Sequence, residues 1–85
     1  MSDKFDFTTA SNLIQAIEST VLVLETKNER MEKQFAALRE GFKDSGYYDY
    51  AVDMTMANNA LKDVTSQLRE IAKSISKYAE QLKGI

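Results

Sequence analysis

Eighty-five residues leave room for one small domain. With 11 Lys and Arg against 13 Asp and Glu, net −2, the chain lacks the basic surface of a sequence-independent nucleic-acid binder. No Cys is present for disulfides or thiolate metal sites, and no His for general-base chemistry or metal ligation. The longest apolar run, Val21-Leu22-Val23-Leu24, falls far short of the ~20 residues that cross a bilayer. Met1-Ser2-Asp3-Lys4-Phe5 lacks the basic-then-apolar layout of a secretory signal peptide. These features predict a small acidic protein, not an enzyme, with no catalytic, metal-binding or cofactor-binding residues.

In chain order, Phe5-Asp6-Phe7 alternates like a strand but is too short to stand alone. It reads as a lead-in whose aromatics pack back on a helix. Thr8 or Thr9 is placed to cap the first helix, predicted over about 9–42. Along it Ile14, Ile17, Val21, Leu24, Asn28, Met31, Phe35, Leu38 and Phe42 recur at alternating spacings of three and four. Asn28 alone is polar. It reads either as a buried residue fixing register or oligomer state at some cost in stability, or as one facing solvent where the seam opens.

Pro is absent and Gly is rare, so Gly41 and Gly46 mark the single internal break, a turn at about 43–48. Gly46 is suited to end a helix in the left-handed conformation, and Ser45 or Asp49 to cap the next. Asp44, Asp49 and Asp53 lack the spacing of a calcium loop and read as solvated capping residues. Tyr47 and Tyr48 are expected at the turn surface. The second helix, about 49–83, carries Tyr50, Met54, Ala57, Leu61, Val64, Leu68, Ile71, Ile75, Tyr78, Leu82 and Ile85 in the same heptad. So short a connection predicts an antiparallel hairpin on the order of 50 Å long.

The flanks of the second seam are unusual. On one side lie Ala51, Asn58, Thr65, Ala72 and Ala79, and on the other Asp53, Ala60, Gln67, Ser74 and Gln81. A free-standing zipper more often carries charges there. The stripe is widened instead, and Leu13, Leu22 and Val23 of the first helix also need cover. The expected fold is therefore all-α, a single hairpin domain over 1–85 that dimerises with itself or another hairpin into a four-helix bundle. Lys62, Arg69, Lys73, Lys77 and Lys83 form a solvated face that Glu18, Glu25 and Glu32 of a neighbour can pair with.

This layout resembles the WXG100 (ESAT-6-like) family, small helical hairpins of the bacterial type VII secretion system. Their turn carries Trp-x-Gly with an aromatic eight residues after the Trp. Here Phe42-Lys43-Asp44 stands at the turn, Ser45 and Gly46 follow, and Tyr50 lies eight residues after Phe42. Phe replaces the Trp and Asp44 replaces the Gly. The family's export signal also uses a Tyr with an acidic residue four positions on, and Tyr47, Tyr48, Tyr50 and Tyr78 are followed there by Ala51, Val52, Met54 and Leu82. The resemblance implies a divergent member acting as a secreted substrate, or as the adapter of a larger effector that carries the missing signal. It implies a bacterial protein exported without a cleaved leader, or held in the cytoplasm before export. The competing reading is an intracellular structural or assembly coiled coil, such as a phage or cytoskeletal accessory protein, which needs the heptads but not the Phe42 turn.

Overall fold

A computed structural model of the chain describes residues 4–41 and 45–84, the side chains of Ser45 and Tyr47 apart. Two helices account for nearly all of it: α1, Phe7–Gly41, and α2, Ser45–Lys83. No strand occurs among the described residues. Uninterrupted Leu, Ala, Glu, Lys, Gln and Met favour helix throughout, and the break between 41 and 45 folds α2 back along α1. The hairpin is a rod of 62 × 22 × 17 Å.

The first helix begins earlier than the threonines suggest. Asp6, not Thr8 or Thr9, is the cap: its Oδ1 accepts the Thr9 backbone N–H at 3.0 Å, and its carbonyl accepts the first helical bond, from Ala10, at 2.9 Å. Aspartate competes better for that position than threonine, and Thr9 supplies the donor at the third helical residue. Hydrogen bonds from the Thr9 amide and side chain hold the Asp6 carboxyl below the ordinary aspartate value of 3.8. A lowered folded pKa means that the cap is fully present above that value and is lost as pH falls through the folded one. Asp6→Ala should accordingly lower the hydrogen-exchange protection factor of the Thr9 amide while leaving residues 30–40 unchanged, and acidification of the parent chain should lower the same protection factor once the intrinsic pH dependence of exchange is divided out. Equal exchange in the two proteins at neutral pH would refute the cap.

The second helix starts at Ser45, so the break is shorter than a turn over 43–48. Gly46 lies inside the first turn of α2, and no described glycine has a positive φ. Asp49 also sits within the helix instead of at its cap. Phe42 and Asp44 fall outside the described residues, as does Ile85.

The lead-in packs as the aromatics suggest. Phe5 meets Phe7 edge-on with centroids 5.0 Å apart and Tyr78 at 5.2 Å, and Lys83 Nζ stands 5.5 Å from the centre of the Phe7 ring. These residues close the end of the rod away from the turn. Near the turn, Phe35 and Tyr50 make a second edge-to-face pair at 6.3 Å.

Candidate interaction surface

Helix α1 presents the seam its spacing predicts, extended one turn by Ala10. Ala10, Ile17, Val21 and Asn28 are buried, while Ile14, Leu24 and Phe35 are half-buried. Asn28 thus takes the buried reading. Met31 and Leu38 belong to the same series yet remain exposed.

Helix α2 departs from the sequence reading. Met54, Leu61, Leu68, Ile75 and Leu82 do turn toward α1 and are half-buried. Their partners in the hairpin are not Ala57, Val64, Ile71 and Tyr78. The seam uses the column one residue further on: Ala51, Asn58, Thr65, Ala72 and Ala79. Thr65 is 6% exposed and Ala72 8%, against 44% for Val64, 49% for Ile71 and 51% for Tyr78.

Packing and charge both explain this shift. Three adjacent columns of α2 lack charge, and a single helix can cover only two. Small side chains let the two backbones come close, and the Thr65 hydroxyl is satisfied by donating to the Leu61 carbonyl at 2.7 Å. Beyond the small column lie Lys62 and Arg69, which reach Glu32 and Glu25 of α1. Lys62 Nζ is 3.4 Å from Glu32 Oε1, and Arg69 bonds the Glu25 carboxylate. The other flank, with Ala60, Gln67 and Ser74, offers those glutamates no cation. Glu25 and Glu32 therefore pair inside the hairpin, not with a neighbour. Each partly exposed pair contributes only ~0.2–1 kcal/mol, so the ion pairs favour this seam without alone deciding it.

The consequence is a rod with two unlike sides. One side holds a groove bounded by Ile14, Ile17, Val21 and Ala72, with Glu18, Arg69, Lys73 and Lys77 at its edges. While Leu22 is exposed on the groove side, the other side carries uncovered large residues of both helices. There Met31 and Leu38 share an apolar depression with Phe35, Tyr50 and Met54, rimmed by Lys27 and Arg30. The Val64, Ile71 and Tyr78 column continues that face along α2, bordered by Ala60, Gln67, Ser74 and Gln81. The chain exposes 6884 Å². A compact monomer of its 9.6 kDa exposes ~5,100 Å², so roughly 1,800 Å² is in excess.

Of the turn residues, Gly46 is exposed and Tyr50 is half-buried against Phe35. Tyr48 is exposed, as expected for the turn surface. Among the described residues no helix is long and apolar enough to cross a membrane, and no group of three or more acidic residues is placed to hold a metal ion. No family model, curated protein or solved structure matches the chain.

Proposed function

We propose that this chain is a non-enzymatic hairpin of a bacterial type VII secretion system, acting as a secreted substrate or as the adapter of a larger effector. The observation that carries the reading is the uncovered face. A hairpin that hides small residues internally and displays Val64, Ile71 and Tyr78 is built to be completed by another helical element. The helix–break–helix layout, with Ser45 and Gly46 opening α2 and Tyr50 one turn later, supports the resemblance drawn from the turn. Because no Tyr is followed at four residues by an acid, the partner supplies that half of the export signal.

The test is export from the producing bacterium with and without the secretion ATPase. Loss of the ATPase should remove the chain, or the effector bound to it, from the culture fluid. Unchanged export of both would overturn the reading. Within the intact system Phe42→Ala should lower export more than helicity. Phe35→Ala, which removes a ring packed on Tyr50, should chiefly lower stability. If both variants lose stability alike and export follows stability, the turn has no separate role.

A further inference from the structure

We propose that the apolar depression on the turn-ward half of the rod binds a long-chain carboxylate, its head group between Lys27 and Arg30 and its hydrocarbon along Met31 and Leu38. This goes beyond the secretion reading and does not depend on it. It rests on the charges at the rim of the depression and on the space they overlook.

Lys27 and Arg30 lie one turn apart on α1, and both line the depression. Among the described residues neither has an acidic partner. The cations nearest them along the rod are all paired: Lys33 with Glu29, Lys62 with Glu32 and Arg69 with Glu25. The sequence explains the difference. Three and four positions from Lys27 stand Val23, Leu24, Arg30 and Met31, and from Arg30 stand Thr26, Lys27, Lys33 and Gln34, so no carboxylate is within helical reach. Helix α2 contributes Tyr50 and Met54 to the walls, but neither of the acids beside them, Asp49 and Asp53. In a chain of net charge −2, two adjacent cations without a counter-ion, set against an apolar surface, suit an anion with an apolar body.

The space suits the same ligand. It measures about 850 Å³, within the ~300–1,000 Å³ typical of small-molecule sites. From Lys27 to Leu38 it runs ~16 Å at ~1.5 Å per residue, about the length of an extended lauroyl chain. Met31 and Met54 are flexible side chains that conform to a bent hydrocarbon. The groove on the opposite side is of similar size, about 640 Å³, but Glu18 and Glu80 stand among its cations and repel a carboxylate. A flat bilayer cannot enter a depression between two helices, which favours a free amphiphile over a membrane surface. The Val64, Ile71 and Tyr78 column lies beyond the site and stays free for a helical partner.

Laurate titrated into the full chain below its micelle concentration should fill one saturable site, with a Kd of roughly 10–100 μM by calorimetry. The largest NMR shifts should fall on the Met31 and Met54 methyl groups and the Tyr50 ring. Decanoate, shorter by two methylenes, should bind ~4- to 15-fold more weakly. Lys27→Gln/Arg30→Gln, a change of two exposed side chains, should weaken laurate ~5- to 30-fold. Lys73→Gln/Lys77→Gln removes the same charge beside the opposite groove and should leave the affinity within about twofold. No saturable binding would overturn the site, and shifts centred on Ile14 and Val21 would overturn its place. Dodecyl maltoside binding as tightly as laurate would overturn the role of the two cations. Binding to phosphatidylglycerol vesicles with none to laurate would overturn the free amphiphile in favour of a membrane. All of these use the purified chain, so export that ignores the secretion ATPase would strike the secretion reading alone, and failure to bind laurate would strike this one alone.

Discussion

Val21→Asp should abolish the cooperative helical signal. Val21 is only 4% exposed and forms the centre of the core with Ile17 and Ala72, against which Ile14, Leu68 and Ile75 pack. A carboxylate there is withdrawn from water beneath the seam, while the cations of the adjacent groove stand at its exposed edges, Arg69 already bonding Glu25 and Lys73 and Lys77 solvated. An unpaired buried charge costs about 3–5 kcal/mol, most of the stability of a domain this size. The check is thermal unfolding followed by circular dichroism at 222 nm, with Val52→Asp as control, since Val52 is exposed and should melt like the parent. Burial also raises the pKa of the introduced carboxyl, so part of the helical signal should return at mildly acid pH as the charge is neutralised. A variant that melts like the parent at neutral pH would mean that the cluster around Val21 is not the core.

The same two helices show what the sequence discloses and what it leaves open. The heptads alone place both helices and make Ile14, Ile17, Val21, Leu24 and Phe35 the inner face of α1, because α1 has one continuous apolar column pair. Helix α2 has three uncharged columns, so hydrophobicity alone favours the larger residues, Val64, Ile71 and Tyr78. The hairpin instead buries Thr65 and Ala72. A signal for that choice was present in the charges. Glu25 and Glu32 are seven apart on α1, as are Lys62 and Arg69 on α2, and only the small-residue seam brings these pairs together in antiparallel order. Ranking positions by size obscures that match, since close helix approach favours small side chains over large ones. The N-terminal cap was hidden for a similar reason: Thr8 and Thr9 stand where a cap is expected, and the stronger acceptor, Asp6, lies in a segment that alternates like a strand. The turn motif is the part on which the hairpin's geometry bears least, since Phe42 and Asp44 lie outside the described residues.

The seam's one polar interruption yields the opposite kind of expectation, a gain in stability. Asn28, 9% exposed, lines a cavity of about 130 Å³ together with Asn58, Phe35 and Met54. Its amide nitrogen donates to Glu32 Oε1 at 3.4 Å, but its Oδ1 and that of Asn58 are enclosed without a hydrogen-bond partner among the described residues. Each such carbonyl costs about 1–3 kcal/mol, so Asn28→Leu, close in volume and wholly apolar, should stabilise the hairpin by ~1–2 kcal/mol. For a domain of this length that raises the melting midpoint by roughly 4–8 °C per kcal/mol. A lowered midpoint would show that water in the cavity already satisfies both amides, which Leu would displace without replacing their bonds. What the asparagines supply in exchange for stability is register. In the native pairing the two amides share one cavity, whereas a slip of one heptad would set Asn58 against Val21 and bury its amide in the core. Replacing both by Leu removes that penalty. The double variant should therefore melt higher still and populate slipped pairings, seen as doubled amide resonances along α2, while Asn28→Leu alone keeps a single set.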